Sequence, residues 1–243
     1  MKIYATYNIK GGVGKTSAAV NLAHLSGREG NRTLLWDLDP QGAATYLFRI
    51  RPKVKGGSKA LVRGTRSLDE AIKATDFDLL DLVPADFTYR NMDVQLDSAK
   101  RPTRRIRQLL APLEDEYDVV FLDCPPSISL VSENVLHAVD TLLVPMIPAT
   151  LSVRTFDQLV DFVGDFDGRQ PAVKAFFSMV DRRKKLHRDV VAQLSQERQG
   201  ILSTDIPALS VIEQMAEKRA PVTAFAPQSS AAQQYEALWN EIR

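Results

Sequence analysis

The stretch "NIKGGVGKTS", residues 8–17, limits what this chain can fold into more than any other. Gly11, Gly12 and Gly14 stand within four positions and lead into Lys15, Thr16 and a helical pattern. Before them, "KIYATYNI" alternates as a strand does. A strand, a glycine turn and a helix in that order let backbone N–H groups turn inward around an anion, with the positive helix end aimed at the same place. The run matches the tail of the pattern G-x-x-x-x-G-K-[ST], whose first glycine is missing here, with Asn8 or Ile9 in its neighbourhood. In such a loop Lys15 reaches the β- and γ-phosphates of a nucleotide and the Thr16 hydroxyl ligates Mg²⁺, while Val13 and Ser17 complete the cradle. Lys10, at the front edge, is a second lysine where the loop needs one.

Further along, short apolar runs alternate with amphipathic stretches. Candidate strands are "KIYATYNI", "RTLLWDL", "DLLDLVPA", "DVVFLD", "DTLLVPM", "AVKAFFSMV" and "GILSTDIP". Helical patterns cover 16–29, 68–75, 103–114, 131–138, 152–165, 186–198, 209–219 and 229–242. Ser67 followed by Glu70 spells a capping box, which predicts a helix start there. Such alternation predicts an α/β fold, doubly wound, with a mostly parallel sheet and helices on both faces. "DVVFLD" and "DTLLVPM" are nearly continuous in apolar residues, as central parallel strands are. Residues 49–66 show no clear period and read as an exposed, irregular, basic loop inserted after the second strand. With 243 residues and no low-complexity linker, one domain is the economical expectation.

Two of those strands end in carboxylates. "LLWDLDPQG" carries Asp37 and Asp39, and "VVFLDCPPS" carries Asp123. In an open α/β sheet, ligands sit at the carboxyl ends of strands, so all three fall beside the glycine loop. Asp123 has the position of an aspartate that holds Mg²⁺ directly or through water.

"KGGVGKT", "DLDPQG" and "DCPPS", in this order and spacing, resemble the deviant-Walker-A P-loop ATPases, specifically the ParA group. "SMVDRRKKLH", "STDIP" and "APQSSAAQQYEALWNEI" extend the likeness over nearly the whole chain. Ile9 departs from the group's frequent N-Q-K-G-G at a position not expected to touch phosphate. The resemblance implies an ATPase with ATP and Mg²⁺ as cofactors, working as a homodimer with ATP sandwiched between subunits. Lys10 then reaches the partner subunit's ATP, Asp39 positions the attacking water, Asp37 supports the magnesium shell, and Met179, Asp181 and Pro207 lie near the base.

ParA-like proteins bind nonspecific DNA as ATP dimers and use the nucleoid to move cargo, with a ParB-like or other adaptor stimulating hydrolysis. Basic clusters suited to phosphate contacts are present. Residues 49–66 hold seven Lys or Arg and no acid, and "KRPTRRIR" and "DRRKKLHRD" add more, the latter with Arg182, Arg183, Lys184, Lys185 and Arg188. Ala208 follows the "IP" motif where the group often has a basic residue, and Lys218 and Arg219 are this chain's replacements. Plasmid or chromosome partition is the first expectation; positioning of a chemoreceptor cluster or microcompartment is the second. A membrane-cycling relative of MinD type needs a basic amphipathic tail, whereas "YEALWNEIR" has two Glu against one Arg. The single cysteine, Cys124, excludes an intrachain disulfide or cysteine-held iron–sulfur cluster. No apolar run is long enough to span a bilayer, and no signal-peptide pattern opens the chain, so a cytoplasmic, nucleoid-associated protein is expected.

Overall fold

The computed structural model describes residues 1–166 and 168–243, and the side chains of these apart from 195–197. Its sheet is built from β1 (Lys2–Thr6), β2 (Thr33–Asp37), β3 (Lys73–Ala74), β4 (Leu80–Val83), β5 (Val119–Asp123), β6 (Thr141–Met146) and β7 (Ala172–Phe177). The order is β3-β4-β2-β5-β1-β6-β7, parallel except for the β3–β4 pair. β2 and β5 are buried along their whole length, which is why they read as unbroken apolar runs. β1 pairs with β6 only as far as Leu143, short of Pro145, which has no N–H to give.

The helices are α1 (Lys15–Arg28), α2 (Ala43–Leu47), α3 (Gly57–Arg63), α4 (Met92–Asp97), α5 (Arg105–Leu110), α6 (Leu130–Ala138), α7 (Thr150–Gly164), α8 (Lys185–Glu197), α9 (Ser210–Glu213), α10 (Met215–Lys218), α11 (Val222–Phe225) and α12 (Ser230–Ile242). Strand alternation divides the core between the two sheet faces. Ile3, Ala5, Trp36 and Leu122 join α4 to α7 on one side, while Tyr4, Leu35 and Phe121 join α1 and α12 on the other. There the Tyr4 ring stacks on Phe121 at 5.2 Å and meets Trp239 edge-on at 6.1 Å. α1 is buried nearly all round, polar Asn21, His24 and Ser26 included, because α2, α11, α12 and the sheet enclose it.

Four sequence expectations are corrected. Residues 68–75 make only a single 3₁₀ turn, Asp69–Ala71, although Ser67 and Glu70 do bond; Ile72 then turns extended so that β3 can pair with β4. Residues 49–66 are not a loop throughout, because α3 forms there and buries Leu61 and Val62. "GILSTDIP" contributes only isolated bridges, Ile201 to Ala175 and Pro207 to Val180. The 209–219 helix is broken into α9 and α10.

A buried polar network fastens α1 to α11. Asn21 Oδ1 accepts hydrogen bonds from the Thr223 N–H and hydroxyl, both at 3.1 Å, and Thr223 Oγ1 lies 2.8 Å from His24 Nδ1. Burial, aided by Arg28, pushes His24 down from 6.5 to about 4. A depressed pKa means that the neutral ring stabilises the fold above pH 6.5 and that this is lost as pH falls towards 4. Denaturant unfolding of wild type against His24→Gln should therefore show the wild type losing ground between these limits, by on the order of 3 kcal/mol. A difference that is flat with pH contradicts the assignment.

Candidate functional site

The glycine loop is braced before it binds anything. Asn8 is buried; its Nδ2 donates to Pro145 O at 2.8 Å and its Oδ1 accepts from Lys10 N at 2.9 Å. The chain then passes through Gly12 (φ 69) and Gly14 (φ 92), left-handed values that side chains resist. A Cβ on Gly14 would come within 2.6 Å of Ser178 Oγ, so that position is closed to other residues twice over. α1 starts directly after it without a side-chain cap, leaving its first N–H groups for a ligand.

Lys15 turns back over the loop, and its Nζ donates to Lys10 O at 3.1 Å. Only 7% exposed, its ammonium is lowered in pKa by burial, with Asp123, Cys124 and Asp39 pulling the other way. Lys10 behaves differently. Its side chain is exposed and does not line the cleft that residues Gly11 to Ser17 line.

β-pairing brings the acids together, because Asp37 stands opposite Asp123 in the β2–β5 register and Thr6 stands opposite Asp123 in β1–β5. Asp123 is wholly buried; Oδ1 accepts from Thr6 Oγ1 at 3.3 Å, and Oδ2 has no hydrogen-bond partner among the described residues. Burial first, and the Asp37 charge second, raise its pKa well above the carboxylate range. Asp37 is pushed up to about 6, also by burial, although its carboxylate accepts from Thr45 N (2.8 Å), Thr45 Oγ1 (2.7 Å) and Asp39 N (3.2 Å). Those bonds hold the loop that carries Asp39, whose Oδ1 accepts from Gln41 N at 2.9 Å.

Asp39, the glycine loop, Lys15, Thr16 and Ser17 line one cleft of about 380 Å³. Its far end is built from Met179, Pro207, Ala208, Leu209, Ile212 and Tyr235. Met179 (φ 57) and Pro207, expected near the base, both line this end of the cleft. Asp181 does not line the cleft; its carboxylate is taken by Arg183 at 2.9 and 3.0 Å. Pro126, Ser178 and the α9 residues escaped the sequence reading, because only tertiary packing brings them to the cleft.

Among the described residues no group of three or more His, Cys, Asp or Glu could cage a metal ion. The site nevertheless fits magnesium, which keeps most of its water and takes one or two carboxylates plus phosphate oxygens. Neither Asp37 nor Asp123 lines the cleft, but Asp123 lies next to Thr16, which does, and its unpartnered oxygen would supply the protein's share.

The basic residues expected to meet DNA are largely engaged within the chain. Arg182 pairs with Asp205 (2.6 Å), Arg183 with Asp181 (2.9 Å) and Lys218 with Glu217 (3.2 Å). Arg188 donates to Arg182 O, and Arg219 stacks on Tyr46 at 4.5 Å. Lys184 stands at the N-cap position of α8 without a side-chain capping bond, and Lys185 opens the helix. Among the described residues, no helix is long and apolar enough to cross a membrane.

A family model described as an AAA domain matches residues 1–175. The chain is 29% identical to the chromosome partitioning protein ParA of Myxococcus xanthus, over 99% of this chain and 87% of that one. It is 28% identical to the sporulation initiation inhibitor protein Soj of Bacillus subtilis, over 99% and 98%. Among solved structures, cobyrinic acid a,c-diamide synthase of Mycobacterium smegmatis, with a bound ATP analogue and magnesium, superposes with a TM-score of 0.84 at 26% identity, covering 99% of this chain and 93% of that one.

The raised carboxylates carry a sign that can be measured. A folded-state pKa above the ordinary value means that stability is present at low pH and is lost as pH climbs from 3.8 through about 6. Asp123→Asn removes one of the two coupled charges, so the ligand-free variant should gain on ligand-free wild type across that range in urea titrations. A wild type that gains on the variant as pH rises would show that Asp123 is satisfied inside the fold.

Proposed function

The chain belongs to the AAA-domain family and is a P-loop ATPase of ParA/MinD type, and from that premise we propose that it is a dimerising, magnesium-dependent ATPase switch that binds nonspecific DNA and partitions plasmid or chromosomal DNA. The observation that carries this reading is the contrast between the two lysines. Lys15 is folded into its own subunit's cleft, whereas the Lys10 side chain stands exposed outside it.

Each residue then has a task. Backbone N–H groups of the glycine loop and the start of α1 bind the phosphates, and Lys15 neutralises their charge. Thr16 and Asp123 would hold Mg²⁺, which would supply charge neutralisation at the phosphates. Asp37 supports that shell by fixing the Asp39 loop through Thr45. Asp39 orients water for attack. Lys10 enters the partner's site and meets charge that develops on the transferred phosphoryl group, as an arginine finger does. Met179, Pro207 and Leu209 enclose the base. Turnover in this arrangement requires the dimer, and an adaptor protein stimulates hydrolysis.

Sedimentation and turnover with ATP separate the roles. Lys10→Ala should bind ATP yet lose most dimer and about 10³-fold or more in rate. Asp39→Ala should dimerise and hydrolyse poorly. A Lys10→Ala protein that dimerises and turns over like wild type overturns the dimer-coupled reading.

DNA retention should need ATP and fall steeply with salt, each neutralised phosphate adding about −0.9 to the slope of log K against log[salt]. Reversing charge at Arg182, Arg183, Lys184 and Lys185 should flatten that slope and leave ATP binding unchanged. Retention that is equal with ATP, with ADP and in high salt contradicts DNA binding as the output.

A further inference from the structure

Two basic stretches far apart in sequence, within 49–66 and 100–107, meet in the fold. α3 carries Lys59 and Arg63, and the turn leading into α5 carries Lys100 and Arg101. They line two adjoining clefts, of about 570 and 370 Å³, that share Arg63, Gln95 and Ser98. No carboxylate lines either cleft, and none of these cations, nor Arg105 in the larger cleft, makes a salt bridge among the described residues.

The floor is constructed. Arg105 Nη2 and Nε donate to Leu61 O at 2.9 and 3.3 Å, and Nη1 donates to Gln108 Oε1 at 3.1 Å. Gly64 (φ 71) makes the seat, since a Cβ there would lie 2.9 Å from Arg105 Nη2. Burial, with no compensating anion, lowers the Arg105 pKa. Gln95 also lines both clefts, and one buried end of its amide has no hydrogen-bond partner among the described residues. The amide's two ends exchange by rotation, so this end can serve as a donor.

We propose that the cleft between α3, α4 and α5 is a second anion site, separate from the nucleotide cleft, which takes a multiply charged phosphate group. The larger cleft gathers four cations without an acid and Lys59 adds a fifth from the adjoining one, a set poorly matched by a single carboxylate, and guanidinium forks suit phosphate oxygens. The group comes either from a free polyphosphate or from the phosphodiester backbone of a nucleic acid. This site stands whether or not the dimer-switch reading does.

The test uses the full chain saturated with Mg²⁺ and ADP, so that the P-loop is filled. Tripolyphosphate and a short fluorescent DNA duplex are the probes, measured by calorimetry and anisotropy. Wild type should bind tripolyphosphate, and Arg63→Glu/Arg101→Glu should bind it at least tenfold more weakly with ADP affinity unchanged. Arg63→Ala/Arg101→Ala, the milder pair, should show a loss in the same direction. A duplex that competes with tripolyphosphate and weakens tenfold in the same variants identifies the nucleic-acid source; a duplex indifferent to them identifies the free polyphosphate. No tripolyphosphate binding by wild type, binding unchanged in both variants, or binding of polyglutamate in its place overturns the proposal.

Discussion

The fold is organised around charges held out of water at the ends of neighbouring strands. Asp123 is fully buried with one oxygen unpartnered, Asp37 lies beside it in register, and Lys15 is buried over the adjoining loop. Isolating such groups from solvent costs more than their mutual attraction returns unless further partners arrive. A cation and a phosphate chain are the partners that complete the set. The local cost is accepted at the one place where strand ends, helix start and glycine turn all converge, which is where strain and unsatisfied groups collect in functional folds.

That concentration explains which parts of the molecule the sequence discloses. A phosphate cradle must be built from contiguous residues, since backbone N–H groups, positive-φ glycines and a helix start cannot be gathered from distant segments. Gly12, Gly14, Lys15 and Thr16 therefore announce themselves. Asp37, Asp39 and Asp123 do so because each ends an apolar run, and the register of β1, β2 and β5 brings them together. The far wall of the cleft is another matter. Leu209 precedes and Ile212 sits on a four-residue helix, too short to show where the helical pattern at 209–219 breaks, and the chain reaches the cleft only after Ile206 and Ala208 hydrogen-bond back along Phe177 and Val180.

Residues 49–66 show the same limit. Their charge density masks Leu61 and Val62, whose burial depends on packing against α4 and the turn at 87–91. A seven-residue helix offers too few turns for an apolar face to register, and its glycine caps look like loop signals. The Ser67–Glu70 pair misleads in the opposite sense: the bonds form, but pairing of Lys73 with Leu82 takes the chain into the sheet edge after one turn. Tertiary hydrogen bonding overrides the local signal.

In the proposed switch, each active site is completed by the other subunit's Lys10. Mixing Lys10→Ala protein with Asp39→Ala protein tests it directly, because each homodimer lacks one needed group in every site. In a mixed dimer the site of the Lys10→Ala subunit keeps its own Asp39 and receives an intact Lys10 from its partner. Steady-state ATP turnover should therefore reappear on mixing, with a maximum near equimolar protein. If the mixture stays as inactive as its components while mixed dimers form, Lys10 does not act across the interface.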